Sequence, residues 1–225
     1  MNVALTLKEL RETAGLAALG LIGLALFTFN AIGWVHLEDW TPFMTGFGRG
    51  GGLPFLYDSF ESQFAFCAGV LGIAFGFKQT LADFQGDAHL FMLHRPVSRQ
   101  TIFLTKLVVG FSLYLLLTLL PLVAYALWAA TNGAHPSPFA WSMTVSAWIT
   151  WLAASLCYLG AFLAGIRPAQ WQGTRLLPLV ATATIAMFAW QLAQFSPFAA
   201  LLLIAATGGM LVAQILFVVE VRDFA

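Results

Sequence analysis

The sequence predicts an all-α polytopic membrane protein with six transmembrane helices. An N-terminal amphipathic interfacial helix precedes them, and a cytoplasmic connector helix lies between spans 2 and 3. Three observations predict this. First, 60% of the 225 residues are hydrophobic and only 9% are charged, against roughly 25% charged in soluble domains. Second, charge is absent from long runs: 13–35, 62–77, the forty-four residues 176–219, and the sixty residues 107–166, whose sole ionisable group is His135. A helix needs about 20 residues to cross the hydrocarbon, so each of the last two runs holds a helical hairpin. Third, the runs are continuously apolar rather than alternating, which argues against a transmembrane β-barrel.

The elements follow in order as one transmembrane domain over 1–225. Val3, Leu7, Leu10 and Ala14 recur at i, i+4, i+7 and i+11, with Lys8, Glu9, Arg11 and Glu12 on other faces. That pattern predicts an amphipathic helix lying at the membrane interface. Span 1 covers about 14–35; no small-residue cleavage site follows it, so it reads as retained rather than as a secretory leader. An acidic loop over 36–60 leads to span 2 at 61–78, flanked by Glu38, Asp39, Asp58 and Glu61. The connector occupies 79–99, and span 3 runs over 102–130. "TNGAHPSPF" (131–139) supplies the proline-bearing break before span 4 at 139–166. Arg167 and Arg175 mark the next turn, span 5 covers 176–193, "QFSPF" (194–198) turns the chain, and span 6 covers 197–219.

Lysine and arginine orient the bundle. The N-terminus, 78–106, 167–175 and the C-terminus together hold nine of the ten, and the opposite segments hold only Arg49. By the positive-inside rule both termini are cytoplasmic and the protein is a multi-pass component of the cell membrane, on this pattern a bacterial inner membrane.

Several chemistries find no support in the residues. A net charge of zero gives no field for nucleic acid. Cys67 and Cys157 lie in apolar runs and read as small buried hydrophobes. His36, His89, His94 and His135 show no metal-ligand spacing, and no metal site is assigned. "GFGRGGG" (46–52) lacks the Gly-Lys-Ser/Thr ending of a phosphate loop. No catalytic residue is assigned. Asp83 and Asp87, at i, i+4, could hold Mg²⁺ in a membrane-embedded transferase, but no second acid-rich cytoplasmic loop completes such a site. That enzyme is one alternative, and a non-transporting membrane scaffold is another. The span interiors hold neutral polar groups, among which Asn30, Gln63, Tyr114, Gln191 and Gln214 are candidates for a solute path. Proton-coupled transporters mark their path with buried ionisable groups, so energy for any transport is expected from outside the membrane.

The connector is the most informative segment. Leu81, Phe84, Ala88 and Phe91 recur at helical spacing, Pro96 ends or turns the helix, and Ser98 can cap the next one. Asp83 and Asp87 share a face, a like-charge pair that opposes the helix by about 0.2–0.5 kcal/mol. Arg99 stands in a first helical turn, where the macrodipole disfavours a cation. Neither placement helps the segment itself, which suggests a partner; the plain alternative is a solvated loop whose cations touch lipid phosphates.

"GDAHLFMLHRPVSRQTIFLTKLVVG" (86–110) resembles the connector between the second and third spans of ABC type-2 transporter permeases. The matches are Asp83, Gly86, Leu90, Leu93, Pro96, Val97, Ser98, Arg99 and Lys106, with Asp87 replacing the usual small hydroxyl residue. The motif covers 82–110, while the six-span layout matches over the whole chain. The resemblance implies that the connector is a coupling helix docking on a separate cytoplasmic ATPase, with Asp83, Gln85, Gly86, Asp87, His94, Arg95, Pro96, Ser98, Arg99 and Lys106 as the coupling residues. It further implies two ATPase copies carrying ATP and Mg²⁺, no cofactor on this chain, and a second permease copy or paralogue within the lipid bilayer. One departure is the short turn at 194–197, where many relatives carry a re-entrant segment.

Overall fold

The computed structural model describes residues 3–35, 53–56, 59–84, 99–131, 138–167 and 172–221, with the side chains of 3–4, 81–84, 99 and 172 left aside. Among the described residues six helices carry the fold: α1 (Val3–Ile32), α2 (Phe60–Phe84), α3 (Arg99–Ala130), α4 (Val145–Ile166), α5 (Gln172–Ala193) and α6 (Pro197–Val221). A 3₁₀ turn, Trp141–Thr144, leads into α4. All six are long and apolar enough to cross a membrane, and they make the protein a multi-pass membrane protein.

The prolines inside α3 and α5, Pro121 and Pro178, interrupt neither helix. In membranes, neighbouring helices and hydroxyl side chains re-satisfy the freed carbonyls. At the end of α1, Gly33 adopts φ 96°. Its amide and that of Trp34 bond back to the Phe29 carbonyl at 2.9 and 2.8 Å, a glycine C-cap that a side chain would strain. Between α5 and α6 the turn is as short as its sequence demands. The Ser196 amide reaches the Leu192 carbonyl at 2.8 Å, and Pro197 opens α6, where a missing amide proton costs nothing.

The core is built around α4. Of its 22 residues 17 are buried, including every one from Ala153 to Ile166. A helix apolar on all sides belongs at the centre of a bundle, and α4 packs against α2, α5 and α6, while α1 lies on α3. Small residues set the approach, since hydrophobic driving force is absent between helices in lipid. A Cβ on Gly76 of α2 would fall 2.7 Å from the Tyr158 carbonyl oxygen and 2.8 Å from the Phe162 amide nitrogen of α4. The outward faces carry Leu116, Leu120, Leu127, Phe188 and Phe198, all strongly exposed, as lipid contact requires.

Three expectations need correction. The N-terminal stretch is helical, but it is not a separate helix: α1 runs unbroken from Val3. Its inward face is also the reverse of the apolar stripe, for Leu7 and Leu10 are exposed while Glu9 and Thr13 are about 1% exposed. Against lipid, apolar residues can face outward, and the inward face is chosen by polar partners. Second, 79–84 belongs to α2 rather than to a distinct connector, with Gln79 and Thr80 buried; 85–98 lies outside the described residues. Third, the segment assigned to the acidic loop over 36–60 contributes to the core, where Phe55 is buried. Its 53–56 turn places Phe55 at a positive φ of 66°, a costly backbone state for a bulky residue. There Phe55 packs edge-on against Tyr125 and Phe60, at centroid distances of 5.1 and 5.8 Å.

Candidate functional site

Two polar hubs lie inside the apolar bundle, one near each end. The first gathers at the end where α1 begins and α6 finishes. Lys106 of α3 is 2% exposed and Glu9 of α1 is 1% exposed, and their Nζ and Oε1 atoms stand 3.4 Å apart. Lys106 Nζ also donates to the Gln79 carbonyl of α2 at 3.4 Å. In return the Gln79 side-chain amide donates to the Lys106 carbonyl at 3.2 Å. The Tyr158 hydroxyl of α4 donates to the Gln79 side-chain oxygen, with the Leu107 carbonyl 3.3 Å away. Space for the Gln79 amide exists because residue 110 is glycine; a Cβ there would overlap it. The hub therefore joins α1, α2, α3 and α4 within a few residues of the points where α2 ends and α3 begins.

The sequence favours this cluster for a local reason. A lysine followed by sixty uncharged residues cannot place its ammonium in hydrocarbon, so it must find a carboxylate or backbone oxygens. Glu9 and Thr13, one helical turn apart, form the polar seam that α1 offers. Thr13 satisfies its own hydroxyl on the Glu9 carbonyl at 2.8 Å, leaving the Glu9 carboxylate directed at α3.

The second hub forms near the opposite end. Glu61, in the first turn of α2, is 8% exposed. One of its carboxylate oxygens accepts from Ser146 and Thr150 of α4 and from Trp190 of α5, each at 2.7 Å. The Gln194 amide extends the chain by donating to the Ser146 hydroxyl at 2.8 Å. Charge-assisted hydrogen bonds of this length are the stronger kind, and here they tie α2, α4 and α5 together.

These hubs correct the expectation that the bundle interior holds only neutral groups. Glu9 is expected on an interfacial stretch, Glu61 at the first residue of span 2 and Lys106 near the entry of span 3 as a coupling residue; all three instead turn into the bundle interior. Of the coupling residues, Lys106 faces the bundle interior. Gln85, Gly86, Asp87, His94, Arg95, Pro96 and Ser98 lie outside the described residues; Asp83 and Arg99 fall within α2 and α3. The five solute-path candidates are dispersed. Tyr114 is fully buried and donates to the Ala68 carbonyl at 3.1 Å. Gln63 donates to the Ser59 hydroxyl at 3.0 Å, and Asn30 is buried in α1. Gln191 and Gln214 face outward, and Gln214 lines a pocket between α5 and α6.

Fold and hubs together define a polytopic α-helical membrane protein whose buried charges join its helices at both ends. In comparisons with protein-family models, curated proteins and solved structures, the chain finds no match.

Proposed function

We propose that the protein is the permease subunit of an ATP-binding cassette transporter, embedded in a bacterial inner membrane with both termini cytoplasmic. It moves substrate using ATP hydrolysed by a separate subunit that docks on the segment joining α2 to α3. The observation that carries this reading is the position of the Glu9–Lys106–Gln79–Tyr158 hub at the root of that segment. Gln79 lies five residues before the end of α2, and Lys106 seven residues into α3. A push on the connector is thereby passed to α1 through Glu9 and to the central α4 through Tyr158. Packed bundles respond to such inputs by moving between discrete arrangements rather than by smooth deformation. The nine-to-one lysine and arginine asymmetry and the motif at 82–110 support the same reading. Six spans are half of such a transporter, so two permease chains and two ATPase copies assemble.

The test is co-purification with an ABC ATPase subunit from the same organism, together with ATPase rate, at equal membrane expression. Asp87→Arg and Arg99→Glu are expected to weaken capture or to uncouple hydrolysis from transport, since losing one member of a buried interfacial charge pair costs about 2–5 kcal/mol. Arg49→Glu is the control. Wild-type behaviour in both connector variants would return the segment to a lipid-contacting loop.

A further inference from the structure

A pocket of about 880 Å³ lies between α5 and α6 on the outer surface. Its floor is made by Leu163 of α4, Leu211 of α6 and the buried Thr182 of α5. Leu177 and Phe217 form exposed apolar walls. Arg167, which caps the C-terminus of α4, stands at the mouth with Val221, the last residue of α6. Thr207, at the far end, lies fourteen residues before Val221 along α6, about 21 Å at 1.5 Å per residue. Half the hydrocarbon core is about 15 Å thick. The trough therefore extends from the membrane surface through a single leaflet.

Two polar groups in this apolar trough select its occupant. Arg167 is exposed and has no carboxylate partner among the described residues. Arg175, its neighbour across the turn, is already engaged by the Ala164 and Gly165 carbonyls at 3.2 and 3.1 Å, so Arg167 is the guanidinium directed at the pocket. Gln214 is exposed on the same trough, seven residues from the end of α6, and its amide has no side-chain hydrogen bond among the described residues. An amide facing hydrocarbon is costly unless it finds a partner. In a glycerolipid the ester carbonyls lie just below the phosphate and accept hydrogen bonds, and the acyl chains continue inward.

We propose that the α5–α6 trough is a binding site for one anionic glycerophospholipid of the surrounding leaflet. Its phosphate lies on Arg167, its ester region on Gln214, and an acyl chain along the apolar trough. A zwitterionic headgroup places a second cation beside Arg167 and binds less well. The site is independent of the transport reading, since it needs neither the connector nor a partner ATPase.

Native mass spectrometry of the full chain, delipidated in mild detergent and titrated with phosphatidylglycerol or phosphatidylcholine of matched acyl chains, tests it. Wild type is expected to retain one phosphatidylglycerol and to prefer it to phosphatidylcholine. Arg167→Gln should lower retention by about fivefold, the factor that one cation contributes at an anionic surface, and Arg167→Lys should restore most of it. Ala181→Trp, which fills the trough without changing charge, should abolish retention. Arg11→Gln, at the same end of the bundle on α1, should leave it unchanged. Equal retention of the two lipids, or wild-type retention by both Arg167→Gln and Ala181→Trp, would overturn the proposal. So would a lipid-free dimer cross-linked through cysteines at position 210 of two copies, because the trough would then hold a second chain.

Discussion

Replacing Lys106 by methionine removes the charge while keeping most of the side-chain volume, and it isolates the ion pair on which the first hub depends. The partners are 3.4 Å apart and almost fully buried. At an effective dielectric of about 20 their attraction is about 5 kcal/mol, set against a desolvation cost of several kcal/mol for each ion. The intact pair therefore adds little net stability, but breaking it strands a carboxylate inside the bundle. Lys106→Met is expected to cost about 3–5 kcal/mol, and Glu9→Gln somewhat less because the amide still bonds locally. The double variant should recover to within about 1–2 kcal/mol of wild type, since neither charge is then left buried without its partner. The assay is a double-mutant cycle read by reversible unfolding in mixed micelles, following tryptophan fluorescence. Additive single effects, with a coupling near zero, would refute the pairing and with it the packing of the N-terminal turns of α1 against α3.

Two further outcomes are expected. Glu61→Leu, which leaves the Ser146, Thr150 and Trp190 donors without their shared acceptor, should destabilise by about 1–3 kcal/mol. Glu61→Gln keeps an acceptor oxygen and should lose less, so equal losses in the same unfolding assay would show that the three bonds do not form. For topology, cysteines at Gly50 and Asn132 should be labelled from outside intact cells by an impermeant thiol reagent, and one at Gln172 should not. Native Cys67 and Cys157 are first replaced by alanine, and external labelling at Gln172 would contradict the assigned orientation.

Much of the fold was legible in the residues. Uncharged runs gave the six helices to within a few residues at most ends; the chief exceptions are the start of α1 at Val3 and the continuation of α2 to Phe84. The two ends differ in their reasons. At the start of α1 the helix runs through charged residues because Glu9 is received inside the bundle by Lys106. At the end of α2 Lys78 is exposed, and the helix continues because Gln79 and Thr80 beyond it are buried. Lys106 and Glu61, near the starts of α3 and α2, likewise turn inward. A signal for the first pair was available in the isolation of Lys106 before sixty uncharged residues. None was available for Glu61, whose donors lie 85, 89 and 129 residues away.

The sequence by itself determined the membrane class, the number of crossings and the turn positions, because these depend on local hydropathy, proline and glycine, and each helix satisfies its own backbone. The tertiary structure alone decided which helix is central, which face of α1 turns inward, and which polar groups meet. In lipid, apolarity does not distinguish inside from outside, since the solvent is as apolar as the core. The amphipathic stripe of Leu7 and Leu10 therefore pointed the wrong way. What selects the inward face is close approach at small residues such as Gly76 and Gly110 and the need of Lys106, Glu9 and Glu61 for partners, and both depend on helices distant in the chain.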